Sequence, residues 1–168
     1  MPNLLLDSPL ILKTRRNHAL EHATLHILAQ KYPARTLAGH SNPSGFFLLG
    51  DAPTEEVQAA VDQALTRLQG GERGLAIHAG CGTNFAVSAL LAGTLAWLGL
   101  AGAKSTRARL WRLPFALALG LLGFLVDRPL GPILQARLTT EADPGRMQVV
   151  QITPIRRGRF VAHRIITR

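Results

Sequence analysis

Residues 85–103 form a run of nineteen residues without a charged side chain. A helix needs about 20 apolar residues to cross the hydrocarbon core of a bilayer, so this run predicts a transmembrane helix. A second apolar run, residues 113–126, reaches that length only when residues 130–134 are included. The alternative is a buried helical hairpin in a soluble protein, but the remaining residues already have amphipathic faces of their own to bury. We therefore predict a membrane-inserted helical hairpin.

Positive charge is concentrated in two parts of the chain. There are 19 Lys and Arg residues against 10 Asp and Glu residues, yet residues 1–84 hold seven of each sign. The surplus lies in residues 104–112 and in the tail after Asp127. Cations beside predicted spans are typical of contact with lipid headgroups, and no aromatic-interleaved motif indicates nucleic acid. We expect membrane lipids as partners and no binding of nucleic acid.

The first 84 residues alternate helical and strand patterns. Apolar residues recur at helical spacing in residues 14–31 and again after Pro53. Residues 36–40 and 46–50 flank a turn sequence typical of a β-hairpin, and the apolar segment 75–78 predicts a third strand. The tail alternates apolar and polar residues, including 159–167, and predicts another hairpin. The predicted fold class is α+β, in three parts: a soluble helix-strand-strand-helix-strand domain (1–84), a transmembrane helical hairpin (85–134) and a basic C-terminal β-hairpin (135–168).

Residues 18–22 read His-Ala-Leu-Glu-His, which fits the H-x-x-E-H pattern. On a helix, His18 and His22 stack on one face, so both imidazoles can reach one metal ion. Zinc lowers the pKa of a coordinated water to about 7, and Glu21 is close enough to take its proton. Histidines on helices are also common as capping or surface residues. The pattern predicts a metal site at His18 and His22, with Glu21 as the catalytic base.

Cys81 is the best candidate for a third ligand. It is the single cysteine of the sequence, so no intrachain disulfide competes for it. It follows a predicted strand and precedes a predicted helix, whose N-terminus favours the thiolate; the alternative is a small buried apolar residue. His78 and His26 are candidates for an extra ligand or for a partner that orients one. This ligand set predicts zinc, with iron as the alternative.

Two motifs carry a resemblance to known families. The H-x-x-E-H helix, followed much later by Gly-Cys-Gly-Thr-Asn-Phe at residues 80–85, resembles the S-ribosylhomocysteine lyase (LuxS) family. That resemblance implies an α+β fold in which His18, His22 and Cys81 hold iron or zinc. The chain lacks the second cysteine that serves that family as an acid–base group, which argues against the same reaction.

A closer resemblance is to the YqhQ-type predicted metal-dependent membrane enzymes of bacteria. These pair H-G-A-E-H with H-P-x-C-G-T-S-F just before a transmembrane segment, and here residues 78–85 read His-Ala-Gly-Cys-Gly-Thr-Asn-Phe. The whole chain is also similar to small DUF-type membrane proteins of cyanobacteria. These resemblances imply a site and leave the substrate open.

Together these features predict a membrane-anchored metal-dependent hydrolase acting on a peptide or amide bond near the membrane. The alternative is a non-catalytic metal-binding or scaffold protein of the membrane, in which Glu21 only orients a histidine. A third interpretation is a peripheral lipid-binding protein that uses its Arg-rich loop.

The predicted location is the bacterial cell membrane, with the metal domain in the cytoplasm. The cations of residues 104–112 by themselves place that loop in the cytoplasm. The basic tail, the lack of a recognisable signal peptide and the thiolate ligand favour the opposite orientation. We give these three features more weight than the loop.

Overall fold

The chain has the α+β architecture that its sequence predicts. The computed structural model describes residues 4–158 and 160–168. The helices are α1 (Pro9–Lys31), α2 (Thr54–Gln69), α3 (Gly82–Leu100) and α4 (Thr106–Leu134), with a 3-10 helix at Arg73–Ala76 and a π-helical turn at Gln135–Thr139. The strands are β1 (Ala38–Asn42), β2 (Gly45–Leu49), β3 (Val149–Arg157) and β4 (Phe160–Thr167). The chain divides into two units, residues up to His78 with Gln135–Arg168, and Ala79–Leu134.

The first unit is built on an antiparallel sheet of four strands in the order β1-β2-β4-β3. β1 and β2 form the hairpin predicted from the turn sequence, and β4 pairs with β2 so that Phe46 lies opposite Ile165. Gly45 has a φ of 135°, and a Cβ there would lie 2.1 Å from the Ile165 carbonyl oxygen, so this position requires glycine. Arg159, which the sequence places in the last strand, lies outside the described residues. The C-terminal hairpin therefore completes a sheet that begins near the N-terminus.

Helices α1 and α2 share a core with this sheet. The largest fully buried apolar side chains of that core come from both helices and from strands β2 and β4: Leu20, Leu28, Phe46, Leu48, Val57, Val61 and Ile165. Each contributes roughly 1.5–3 kcal/mol when it leaves water. This packing holds α1 in place and so fixes the position of the histidines that it carries.

The predicted third strand at residues 75–78 is wrong. Arg73–Ala76 forms a 3-10 helix, and β4 occupies the place beside β2. A short apolar run fits a strand and a buried helical turn equally well, because four residues are too few to show a period. The consequence matters for the site, since a 3-10 helix ends in backbone carbonyls that need partners outside it.

The second unit is a hairpin of α3 and α4 that meets at small residues. A Cβ on Gly99 would lie 2.7 Å from Ala116 Cα, and one on Gly123 would lie 2.7 Å from Ala92 Cα. Such close backbone approach through small residues is typical of helices packed in membranes. Both helices are long and apolar enough to span a bilayer, with mean hydropathies of 1.4 over Gly82–Leu100 and 1.5 over 106–126.

Helix α4 is longer than the sequence analysis predicts. The interhelical loop was expected to extend to residue 112, but the helix already begins at Thr106 and continues to Leu134. Arginine and leucine, which fill its first turns, are good helix formers. Pro114 lies inside the helix, a position that membrane helices tolerate better than soluble ones. The second apolar helix is therefore long enough for a full span.

Candidate metal centre

Helix α1 places the two histidines of the H-x-x-E-H motif side by side. The ring centroids of His18 and His22 lie 4.2 Å apart, with an angle of 61° between the ring planes. His22 is fully buried at 1% exposure, whereas His18 is half-buried. The four-residue spacing brings both rings to the same side of the helix, as the sequence predicts.

Backbone carbonyls fix which nitrogen of each ring carries the hydrogen. His18 Nδ1 lies 2.9 Å from the Thr139 carbonyl oxygen, and His22 Nδ1 lies 2.7 Å from that of Ala76. A carbonyl oxygen can only accept, so each Nδ1 must donate, and in a neutral ring the lone pair is then on Nε2. Both imidazoles therefore have the tautomer that binds a metal through Nε2.

The Thr139 carbonyl, which accepts the hydrogen bond from His18, belongs to a segment that is held against α1. The Arg15 guanidinium donates to the Thr140 carbonyl at 2.9 Å and forms an ion pair with Glu141 at 3.6 Å. The Glu141 backbone N–H donates in turn to the Arg15 carbonyl. These contacts fix Thr139 at the end of the π-helical turn, so the orientation of the His18 ring depends on residues about 120 positions away in the sequence.

His26 has a different arrangement. Its Nε2 lies 2.7 Å from the Ile77 carbonyl oxygen and must donate to it, which puts the lone pair of the neutral ring on Nδ1. The His78 ring centroid lies 5.0 Å from that of His26 and 5.5 Å from that of His22. His26 thus holds the end of the 3-10 helix, and its predicted role as an extra ligand or as a partner that orients one stays a prediction.

The Gln135 side chain binds both backbone polar groups of His78. The His78 N–H donates to Gln135 Oε1 at 2.8 Å, and Gln135 Nε2 donates to the His78 carbonyl at 3.0 Å. The Gln135 side chain is fully buried. Because His22 and His26 bind the carbonyls of the two preceding residues, three successive residues have fixed backbone positions. No local sequence pattern marks Gln135 for this role.

Cys81 follows this fixed segment at a distance of three residues. Three residues of extended chain reach at most about 11 Å, so the cysteine cannot lie far from His78. It caps the N-terminus of α3 and is 7% exposed. His18 and His22 belong to the first unit and Cys81 to the second. Their joint binding of one ion stays a prediction.

Glu21 is buried on the side of α1 that faces β1. Its carboxylate accepts a hydrogen bond from the Ser41 hydroxyl at 2.5 Å. A Cβ on Gly39 would lie 2.2 Å from Glu21 Oε1, so only glycine leaves room for the carboxylate. Sequence analysis missed both neighbours, although a glycine within a short strand indicates close approach by another group.

His163 is a buried histidine outside this group. It lies on β4 at 1% exposure, and its Nε2 is 3.1 Å from the Thr54 hydroxyl. Burial lowers the pKa of His163, because a desolvated imidazolium is disfavoured, and the nearby charge of Arg156 lowers it further. His163 is therefore neutral at neutral pH and acts as a packed polar residue of the fold.

The chain belongs to the family of the domain of unknown function DUF6391, which matches residues 13–152. It is 42% identical over 101 residues to an uncharacterized protein of Picosynechococcus sp. (strain ATCC 27264 / PCC 7002 / PR-6). That match covers 52% of this chain and 49% of the relative, so it spans about half the length of that cyanobacterial protein. No solved structure matches the chain.

These comparisons confirm the resemblance to cyanobacterial proteins of unknown function. The family match includes the H-x-x-E-H helix, the segment around Cys81 and both apolar helices. The likeness of the metal site to the YqhQ-type and S-ribosylhomocysteine lyase families stays a prediction.

Proposed function

We propose that the chain binds one divalent metal ion through His18, His22 and Cys81. The observation that carries this proposal is the pair of neighbouring imidazoles that each donate Nδ1–H to a backbone carbonyl. Histidines that bind metals almost always donate their other ring N–H to a carbonyl or carboxylate, which fixes the ring and raises its basicity. The arrangement is that of a preformed ligand set.

The donor set fits zinc, with iron as the alternative. Two imidazoles and one thiolate suit both metals. Three protein ligands are also the number typical of catalytic zinc sites, whereas structural sites use four.

We extend the proposal to metal-dependent hydrolysis, with Glu21 as the residue that moves the proton. When bound, the ion would supply Lewis acidity toward the bond to be cleaved. A Glu21 carboxylate oxygen would take the proton from the attacking water and pass it to the leaving group. We favour a peptide or amide bond close to the membrane as the substrate.

A non-catalytic metal-binding protein is the second candidate, and the position of Glu21 favours it. The Ser41 hydroxyl donates to the carboxylate, and the space that a Cβ on Gly39 would fill is taken by the Glu21 side chain, so this side chain ties β1 to α1. In this alternative the carboxylate stabilises the fold around the metal ligands and carries no proton. Measuring metal content and turnover of the Glu21→Gln variant separates the two candidates.

We further propose that α3 and α4 insert into the bacterial cell membrane, with lipids as their partners. The length and composition of the helices support this, and many of their large apolar side chains are exposed, including Leu90, Trp97, Trp111 and Leu117. Such a surface is costly in water and favourable in lipid.

Metal content after exchange of the cysteine tests the binding proposal. The purified full chain, loaded with zinc and freed of excess metal, is expected to retain roughly one ion per chain. Cys81→Ser should fall well below that value, and loading with cobalt should produce a thiolate charge-transfer band that the variant lacks. The matched control is His40→Ala, which removes an exposed histidine of β1 and should leave stoichiometry and spectrum unchanged. A zinc-free wild-type chain contradicts the proposal.

A reporter fusion tests the proposed orientation. An enzyme that is active only in the cytoplasm, fused after Arg168, is expected to be active, because we place the first unit and the C-terminus in the cytoplasm. A fusion after Ala103, between α3 and α4, should be inactive. A well-expressed but silent Arg168 fusion with an active Ala103 fusion reverses the assignment.

A further inference from the structure

A cavity of about 170 Å³ opens in the first unit, and neither His18 nor His22 is among its lining residues. Its lining includes four cationic residues, Lys13, Arg16, Arg146 and Arg168. The described lining residues include no acidic side chain. A single water needs only about 10–15 Å³ of such space, so the cavity is large enough for a small molecule.

The acidic residue nearest to this lining along the chain is engaged elsewhere. Asp143 Oδ1 accepts the Gly145 N–H at 2.8 Å and closes the turn that carries Arg146. The Asp143 carbonyl accepts from Arg16 Nε at 3.0 Å. This bond uses one of the five N–H donors of the guanidinium and holds the arginine at the cavity. The Asp143 carboxylate is therefore bound to the backbone of the turn, and the lining carries four cationic side chains against this one neighbouring negative charge.

The turn passes close to the Arg16 guanidinium, and a glycine makes this possible. Gly145 has a φ of 58°, and a Cβ there would lie 3.0 Å from Arg16 Cζ. The lining also includes the apolar residues Pro43, Pro144 and Met147, the last two of which are buried. The site thus combines a held arginine and further cations with an apolar wall.

We propose that this cavity binds a phosphate group attached to a short apolar portion. Arginine guanidinium recognises phosphate by charge-assisted, geometrically matched hydrogen bonds, and flanking cations add to the attraction. The apolar wall accommodates the carbon chain next to the phosphate. The phosphodiester headgroup of an anionic lipid and a soluble phosphate ester share this chemistry. The proposal is independent of the metal site.

Calorimetric titration of the full chain in a neutral detergent tests this proposal. The probes are dihexanoylphosphatidylglycerol, dihexanoylphosphatidylcholine and glycerol 3-phosphate. We expect the anionic lipid to bind more tightly than the zwitterionic one, and rising salt to weaken that binding because exposed charges are screened. Binding of the lipid alone assigns the headgroup as the ligand, whereas binding of glycerol 3-phosphate at similar strength assigns a soluble ester.

A double variant locates the binding. Lys13→Gln with Arg146→Gln removes two exposed cations of the lining and should weaken binding about tenfold to thirtyfold. The matched control, Arg73→Gln with Arg157→Gln, removes two exposed cations elsewhere on the unit and should change it less than about twofold. Unchanged affinity in the first variant, an equal loss in both, or equal binding of the two lipids overturns the proposal. The salt dependence of the wild-type chain provides a test that does not depend on how the variants fold.

Discussion

Replacement of His22 by alanine is expected to lower the affinity for zinc by more than about 100-fold. Loss of an outer partner of a metal ligand typically costs 10-fold to 100-fold, and loss of the ligand itself should exceed that range. His22 is also the more buried of the two motif histidines, so a water molecule cannot easily take the place of its nitrogen as a ligand. Competition with a fluorescent zinc chelator measures the affinity of each variant.

His22→Gln makes this test independent of a folding defect. Alanine leaves the Ala76 carbonyl without its imidazole donor and opens a cavity, which destabilises the unit in its own right. Glutamine keeps an N–H donor for that carbonyl but offers no imidazole. A folded His22→Gln chain that binds zinc as tightly as the wild type would show that the ring is not a ligand.

His26→Ala provides a comparison with the His22 variants. His26 donates Nε2–H to the Ile77 carbonyl and helps to hold the segment that leads to Cys81. We therefore expect an intermediate loss of affinity, about tenfold, as is typical of a group that positions a ligand. A loss as large as that of His22→Ala would instead make His26 a ligand.

Local patterns predicted the part of the site that lies on one helix. The pair His18 and His22 follows from a four-residue spacing within an apolar helical period, and both properties belong to a single stretch of sequence. The cysteine at the start of an apolar helix was recognised in the same way. The structure has His18 and His22 on one helix and Cys81 at the start of another, because each of these positions depends on neighbours within a few residues. The roles of the three residues as ligands stay predictions.

The supporting contacts were missed because they connect distant parts of the chain. Thr139 and Gln135 reach the histidine cluster only after the chain has passed through the whole α3–α4 hairpin. The pairing of β4 with β2 likewise joins segments more than 110 residues apart. Strand alternation predicts that a hairpin forms, but it does not specify which edge the hairpin joins.

The error at residues 75–78 has the same physical origin. The segment is apolar enough for a strand, but its carbonyls at Ala76 and Ile77 accept hydrogen bonds from imidazoles of α1, and none of the described strands pairs with it. Tertiary contacts decide the structure of such short segments. A sequence rule for this site would look for histidines spaced along a helix and a short apolar segment ahead of the cysteine.

Glu21→Gln is expected to keep the metal and to reduce turnover by about 10²-fold to 10⁴-fold, the usual contribution of general acid–base catalysis. Glutamine has nearly the same shape, and its amide oxygen can accept the Ser41 hydroxyl hydrogen as the carboxylate does. The fold should therefore survive while the proton carrier is lost. The assay uses the zinc-loaded full chain with a panel of fluorogenic peptide amides, and metal analysis accompanies each variant. Loss of the metal would make Glu21 a ligand, and a wild-type chain that cleaves no amide contradicts hydrolysis.

Gly39→Ala is the complementary variant, because it displaces the Glu21 carboxylate without removing it. The added methyl would lie 2.2 Å from Glu21 Oε1, so the side chain or β1 must shift, at a cost of typically 1–3 kcal/mol. Glu21→Gln replaces the charge-assisted bond from Ser41 by a weaker neutral one, so it lowers the melting temperature slightly whichever role Glu21 has, and Gly39→Ala lowers it more. If Glu21 moves a proton, both variants lose turnover per folded, metal-loaded chain. If Glu21 only ties β1 to α1, both variants lose stability, but any turnover per folded, metal-loaded chain stays unchanged.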